Sequence, residues 1–568
     1  MFQAPIWKIQ KHDHQRSAQL AAELNVKPLT AALLIARGYD TPGLAHQFLN
    51  PCIEQLHDPV LLKGMEAAVA RILAAVGKRE KILIWGDYDV DGTTGTVVLR
   101  KALKILGADT EYHIPNRFLE GYGVNIPALE QAKLRGCTVL ITVDCGIRSF
   151  EPIEWAQANG MDVIVTDHHL SDEVRGNPNA FAVINPNQPG CSYPEKRLAG
   201  VGVAYKLAQA LLRKVGREDL AKEFLSIAAV GTVADMMELT GENRAIVAIG
   251  LRDLLGTNNY GFKALMEVSD CTSEMTSYHI GFRIAPRINA AGRMDAAKQV
   301  VELLECEDFN EARRLAGILD SRNRERQRVQ AEITELALLQ SDSLAQRAFV
   351  VVSGENWHRG VIGLAASRIA ERINRPTIVL STENGIAHGS ARSVADFHLL
   401  DALSSCCELF EQFGGHAAAA GMRLTAENVL KLSEKLDSYA TEAFKGTPPA
   451  PFINIDAHVS AETLGLDLID DLAVFEPFGI GNPKPLFVTK ELRITQEPLV
   501  MKQKHLKLNL AASSGKRFEA VWWDGVDRSK GRTLIPGNRI ELAYTAEKNV
   551  WQGNARLQLV VRDLREHN

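Results

Sequence analysis

The sequence predicts an α/β protein of two lobes joined by a long helix, with a small all-β module after them. Three observations carry this. Residues 81–169 alternate short continuous Ile/Val/Leu runs with helix-like stretches. A charged stretch from about Asn310 to Ala345 has no proline and no interior breaker beyond Gly317. Beyond the KGTPPAP segment (Lys445–Pro451), strand-like runs are separated by Gly, Pro and Asn turns.

Each element follows from its pattern. After an N-terminal segment with helical periodicity, Lys81–Trp85 (KILIW) reads as a buried strand and Thr94–Leu106 as the crossover helix behind it. Val139–Val143 and Val163–Thr166 are further strands, with Phe150–Asn159 the helix between them. Continuous apolar strands joined by helices imply a parallel sheet covered on both faces. The charged stretch reads as one long helix linking two lobes. In the second lobe, strand Ala348–Val352, helix Val361–Ile373 and strand Thr377–Leu380 repeat the α/β logic. LKLNLAA, FEAVWW, RIELAY and ARLQLVV then read as strands of an OB-like barrel.

Composition narrows the class. The chain has 568 residues, 46% hydrophobic and 23% charged, which argues for globular domains rather than disorder. Its 64 basic and 69 acidic residues leave a net charge of −5, so any nucleic-acid surface must be a local basic groove. Eight cysteines, none in a CxxC pair, disfavour zinc and disulfide frameworks. The opening MFQAPIWKIQKHDH lacks the features of a signal peptide, and no apolar run approaches bilayer length. A cytoplasmic location without membrane contact is the expectation.

The placement of carboxylates is the informative feature. The first strand runs into GDYDVDG, with Asp87, Asp89 and Asp91. The second ends in Asp144 within VDCG, and the third in Asp167-His168-His169. Ligands of an open parallel sheet bind outside the carboxyl ends of its strands, so three strands deliver these groups to one edge. In extended chain, positions i, i+2 and i+4 share a side, so the three aspartates of the first motif are expected to converge. Clustered carboxylates repel unless a divalent cation lies among them. Carboxylates alone suit Mg²⁺ or Ca²⁺, and an added imidazole shifts the preference toward Mn²⁺. Asp235, in AAVGTVADMM, is a fourth acid after an apolar run and is expected to close the site. An EF-hand does not fit DYDVDG, because its twelfth position is Val98 where a Glu is required, and a strand rather than a helix precedes it.

Taken in order and spacing, DYDVDG, VDCG, the DHH triplet and VADMM resemble the four motifs of the DHH phosphoesterases. The resemblance implies that Asp87, Asp89, Asp91, Asp144, His168 and Asp235 bind two ions, Mn²⁺ or Mg²⁺, with Asp91 and Asp144 as bridging candidates. Asp144, His168 and His169 then carry catalysis, His169 from a supporting or transition-state position. Some family members begin the first motif with His where this chain has Asp87. FGGHAAAAGM (Phe413–Met422), WHRGVIG (Trp357–Gly363) and GSARS (Gly389–Ser393) resemble the DHHA1 domain, and implicate His358, Ser390, Arg392, Gly415 and His416 in substrate binding. RINAAGRMD (Arg287–Asp295) resembles the substrate-facing segment of the RecJ branch, with Asn289 and Arg293. HIPNRFLEGYG supplies Arg117 for a phosphate and Tyr122 for a base. Arg117, Ser390 and Arg392 are expected to form a 5′-phosphate pocket.

The implied organisation is an N-terminal helical segment packing on the DHH domain (1–60), the DHH domain (61–305), the connecting helix (306–345), a DHHA1 domain (346–445) and an OB-like domain (446–568). In the last, Lys502, Lys504, Lys507, Lys516 and Arg517 interleave with Phe518, Trp522 and Trp523, a composition that suits a single-strand binder. Cutting before Phe452 is expected to leave the catalytic cleft intact. The implied activity is 5′→3′ exonuclease action on single-stranded DNA in recombination and repair, by a monomer that meets single-strand-binding protein. Alternatives are an oligonucleotide or cyclic-dinucleotide phosphodiesterase, a pyrophosphatase, or a non-catalytic single-strand scaffold. The RINAAGRMD element and the basic β module point to a polymer.

Overall fold

The computed structural model describes residues 5–116, 119–293, 297–344, 346–394, 397–446, 450–551 and 553–566. The chain divides into two compact units, one of residues 9–320 and 455–568, the other of residues 1–8 and 321–454.

The first unit contains a five-stranded sheet of β1 (Lys81–Gly86), β2 (Asp109–His113), β3 (Cys137–Val143), β4 (Asp162–Thr166) and β5 (Ala182–Ile184). The strands are all parallel, in the order β2-β1-β3-β4-β5. Ile84, Ile141 and Ile164 stand in one row across it. Ile82, Ile84, Val139, Ile141, Val143 and Ile164 pack on one side with α1 (Val90–Ile105) and α4 (Gly200–Lys214). Leu83, Trp85, Leu140, Val163 and Val165 pack on the other with α2 (Ile126–Leu134) and α3 (Phe150–Ala158). Burial on both faces is why these strands read as unbroken apolar runs rather than alternating ones. Helix α5 (Leu225–Ala234) is apolar all round, and eight of its ten residues are buried in this core.

The same unit carries the C-terminal barrel. Its long strands are Phe487–Ile494, His505–Ala511, Arg517–Trp522, Arg539–Trp551 and Asn554–Glu566, and the pairs Arg493↔Ala511 and Ile494↔Leu510 close the sheet on itself. Closure removes the exposed edges. The N-terminal helices Pro28–Ala36 and Pro42–Leu49 place Leu33, Leu34, Ala45 and Phe48 inside the barrel's core, beside Phe475, Phe487 and Leu492. The N-terminal segment therefore packs on the barrel as well as on the α/β domain, whose core Ile53 and Leu56 join and whose Arg244 lies against Phe48. The expectation of a detachable β module fails, since its core is completed by residues some 400 positions earlier. The proline pair of the linker segment lies outside the described residues.

The long helix α8 (Phe309–Ser343) forms where the charged stretch predicts it. Its first turns contribute Ala312, Leu315, Ala316 and Leu319 to the α/β core, and from Ser321 onward it belongs to the second unit, where Ile333 and Ala337 are buried. That unit has a five-stranded mixed sheet, Val350–Glu355 and Thr377–Glu383 being parallel and Ile386–Arg392, Ala419–Thr425 and Gln412–Gly415 following antiparallel. Helix α9 (Arg359–Ile373) crosses between the two parallel strands. Among the described residues no helix is long and apolar enough to cross a membrane.

Candidate metal centre

With strand order 2-1-3-4-5, connections leave β1 and β3 in opposite directions, and a crevice opens outside their carboxyl ends. The acids fall at that switch point. β1 ends at Gly86, and Asp87, Tyr88 and Asp89 form the turn into α1. Asp89 caps the helix, its Oδ1 accepting from Gly92 N at 3.0 Å, and Asp91 sits in the first helical turn. The three aspartates therefore converge through a strand-to-helix turn, not along extended chain as the spacing suggested, because a cap followed by helical residues favours α over β. Gly92 makes the turn possible, since a Cβ there would lie 2.5 Å from Asp87 N.

Asp144 directly follows β3 in left-handed backbone with φ 60°. A Cβ on Gly200 would stand 2.5 Å from the Asp144 Cβ, so α4 approaches this carboxylate as closely as backbone allows. The amides of Gly200 and Val201, at the N-terminus of α4, donate to Asp91 at 2.6 and 2.7 Å. Anion binding at a helix start fixes this buried carboxylate. Asp235 is the C-cap of α5.

His168 Nε2 lies 3.1 Å from Asp144 Oδ1, 3.6 Å from Asp235 Oδ2 and 3.9 Å from Asp91 Oδ2. Among the described residues three overlapping ligand sets, each with its atoms within 4.8 Å, emerge: Asp87, Asp89 and Asp144; Asp91, His168 and Asp235; Asp144, His168 and His169. Asp144 and His168 each enter two of them, while Asp91 enters one. The sets border a cavity of about 280 Å³ lined also by Tyr88, Tyr122, Asn289 and Gly292. Tyr122 is exposed above the site, its hydroxyl 3.3 Å from the Asp144 carbonyl oxygen. Asn289 and Gly292 arrive on helix α7 (Ala285–Arg293). Arg117 and the side chain of Arg293 lie outside the described residues.

Electrostatics mark the cluster as incomplete without a cation. Burial first, then the neighbouring aspartates, push the Asp144 carboxyl well above the usual range. The same causes bring Asp235 to about 9 and Asp91 to about 7. Burial, and then His169, lower His168 to about 4, which leaves its imidazole neutral and fit to ligate. Asp144 Oδ1 and Asp235 Oδ2 are buried and accept no hydrogen bond among the described residues. Orphaned carboxylate oxygens beside a neutral imidazole match a hard or borderline divalent ion such as Mg²⁺ or Mn²⁺.

Sequence reasoning passed over the supporting groups. Asp167, the first letter of the DHH triplet, accepts from the amides of Ile147, His168 and His169 at 3.0, 2.7 and 3.1 Å and from His169 Nδ1 at 2.8 Å. Burial raises its carboxyl, but these bonds outweigh it and hold it below the usual range. Burial likewise lowers His169, and the Asp167 contact outweighs it, leaving the imidazole above its ordinary value. Asn185 and Asn187 hold the carbonyls of His169 and His168 at 2.8 and 2.6 Å. The buried position of Asp167 at a strand end was the available signal.

In the second unit, His358 caps α9, its Nδ1 accepting from Gly360 N at 3.0 Å. Arg392 Nη1 donates to Ser390 Oγ at 3.1 Å and to Ala391 O at 2.7 Å, and among the described residues it has no ion pair. A Cβ on Gly363 would lie 2.9 Å from Ser390 Oγ and 3.2 Å from Arg392 Nη2, so the start of α9 abuts this pair. Gly415 and His416 occupy the exposed turn of the neighbouring hairpin, whose Ala419 pairs with Arg392. On the barrel, Trp522 and Phe518 are core residues and Lys507 is paired with Glu519, which leaves Trp523 as the exposed aromatic of that set. Arg328 pairs with Glu325 on its own helix.

Comparison with known proteins agrees with the fold. Family models match in three places: the DHH family N-terminal domain over residues 81–232, the DHHA1 domain over 346–442 and the RecJ OB domain over 455–563. The single-stranded-DNA-specific exonuclease RecJ of Bacillus subtilis is 38% identical over 98% of this chain and 70% of its own length. That of Escherichia coli is 33% identical over 98% and 99%. RecJ of Thermus thermophilus, solved in complex with Mn²⁺, superposes with a TM-score of 0.85 at 30% identity, covering 99% of this chain and 80% of that one. In complex with Mg²⁺ the same protein gives 0.79 at 29%, covering 99% and 79%. The chain belongs to the RecJ family of single-stranded-DNA-specific exonucleases.

Proposed function

We propose that this chain, a metal-dependent exonuclease of single-stranded DNA, digests its substrate from the 5′ end and releases 5′-mononucleotides. The observation that carries the reading is the switch-point cluster, in which four aspartates and His169 line one cavity, Asp91 and His168 complete the neighbouring ligand sets, and two buried carboxylate oxygens accept no hydrogen bond among the described residues. Asp87, Asp89, Asp91, Asp144, Asp235 and His168 would hold two divalent ions. Such a pair polarises the phosphoryl oxygens and lowers the pKa of the attacking water.

The chain's own groups do the rest. His169, backed by Asp167 and favoured in its protonated form, borders the cavity and supplies a proton to the departing 3′-oxygen as the P–O bond breaks. Tyr122 offers an exposed ring to a base beside the cavity. Asn289 and Arg293 on α7 meet the strand, and His358, Ser390, Arg392, Gly415 and His416 serve the substrate's phosphates, with Arg117 completing the 5′-phosphate contacts. Arg392 suits this role because it is a half-buried cation with a serine hydroxyl, not an acid, beside it. Family membership supports a monomer acting in recombination and repair in the cytoplasm, alongside single-strand-binding protein.

Digestion of matched strands labelled at the 5′ or the 3′ end tests this. Immediate release of the 5′ label as mononucleotide, with late loss of the 3′ label, is expected. The reverse order, or short oligomers from both ends, contradicts it.

A further inference from the structure

The loop Val474–Asn482 follows helix Leu466–Ala473 in the β module and reaches back to the catalytic domain. It is braced by its own hydrogen bonds. Asn482, almost fully buried, donates to the carbonyls of Phe475 and Pro477 at 2.8 and 2.9 Å, and Gly479 and Asn482 exchange backbone bonds at 2.9 and 3.1 Å.

Three contacts tie this loop to the metal centre. The Leu239 amide donates to Ile480 O at 2.7 Å, and a Cβ on Gly479 would lie 2.7 Å from Leu239 Cδ1, so the loop lies flush against a buried leucine four residues beyond Asp235. Arg244, on helix α6 (Gly241–Leu255), is buried; its guanidinium lies over the Phe48 ring, and among the described residues its hydrogen bonds go to backbone carbonyl oxygens. Its nitrogens donate to Phe48, Val474, Phe475, Glu476 and Pro477 at 2.8 to 3.4 Å. Ser277 Oγ donates to Phe478 O, which fixes the start of the helical run that ends in Asn289 and Gly292. The loop therefore holds two of the chain segments that line the cavity, the one bearing Asp235 and the one bearing Asn289 and Gly292.

Asp235 needs such support. Its carboxyl faces Asp87, Asp89 and Asp91, whose charge repels it, and the next residue, Met236, is in left-handed backbone at φ 58°. That conformation is one a residue with a Cβ rarely adopts. The turn's own bonds end with Met237 N on Thr232 O at 3.2 Å, and its exit, at Leu239, is held by the loop. We propose that the loop Val474–Asn482 is a positioning element of the metal centre, holding the turn that presents Asp235. The proposal rests on Asp235 being a ligand.

Binding of Mn²⁺ to the full chain, followed by the electron paramagnetic resonance signal of the free ion, tests this without reference to activity. Gly479→Ala, which pushes Leu239, and Leu239→Ala, which removes it, are compared with Asp235→Ala and wild type. Weakening of about three- to tenfold is expected for the first two, within the tenfold-or-more loss in Asp235→Ala, with circular dichroism unchanged. Leu239→Val, a one-methylene change, replaces any variant that does not fold and is expected to weaken binding about twofold. Folded loop variants that bind Mn²⁺ like wild type, while Asp235→Ala binds weakly, overturn the positioning role. Wild-type binding by Asp235→Ala itself overturns the ligand assignment and the proposal with it.

Discussion

Asp167 Oδ1 lies 2.8 Å from His169 Nδ1 and accepts the backbone amides of both histidines of the same triplet. One buried carboxylate thereby sets the ring orientation of His169 and the backbone path of His168. Asp167→Asn keeps the shape but removes the charge that sustains the His169 proton. A loss of about 10- to 100-fold in activity is expected, the range for partners of ligating or catalytic groups. The acid side of the wild-type rate profile should persist while the alkaline limb moves to lower pH, because His169 then loses its proton earlier. Rate profiles from pH 5 to 9 at saturating Mn²⁺ check this.

Metal affinity should rise with pH. In the metal-free protein Asp91 and Asp235 hold protons up to about 7 and about 9, and divalent ions bind only after those protons leave. The sign for stability is opposite. A carboxyl whose folded pKa lies above its unfolded value stabilises the fold while protonated, and that contribution is lost as pH rises through the folded value. The metal-free chain should melt progressively lower from about pH 5 to pH 9, and saturating Mn²⁺ should flatten the trend. Differential scanning fluorimetry with and without chelator measures both effects.

Arg392→Ala should lower the preference for 5′-phosphorylated over 5′-hydroxyl strands. A charged hydrogen bond to phosphate is worth about 1.5–3 kcal/mol, about ten- to a hundredfold. Arg117→Ala should do the same. Initial rates on both substrate ends read it directly, and equal slowing of the two assigns these arginines a general electrostatic role.

Removing residues 452–568 should destabilise the remaining chain rather than trim a binding module. Leu33, Leu34 and Phe48 lose their cover, and each exposed side chain costs about 1.5–3 kcal/mol. The total rivals the whole stability of an ordinary domain. A soluble fragment that melts with the wild-type midpoint contradicts this.

Strand-end chemistry was legible in the sequence because apolar runs flanked by acids are local patterns. β1, β3, β4, the long helix and the barrel strands fall where those patterns place them. β2 and β5 were missed. DTEYH at the sheet edge is polar, and AVI is too short to stand out. The acids and histidines that cluster at the strand ends were readable residue by residue, but Asp167, Asn185 and Asn187 act through hydrogen bonds that have no spacing signature. Nor does spacing reveal that Leu33 and Phe487 share a core, or that Arg244 closes on carbonyls more than 200 residues away. Those are tertiary facts set by packing.

The most direct test of the central claim is hydrolysis by Asp144→Ala and His168→Ala, since both residues enter two of the three ligand sets. Release of nucleotides from end-labelled single-stranded DNA is measured across a Mn²⁺ titration, with strand binding and circular dichroism on the same preparations. The account predicts folded proteins that still bind the strand and lose at least about a hundredfold in rate, even at saturating metal, as chelator does to wild type. Near wild-type rates from either folded variant at saturating Mn²⁺ would contradict it.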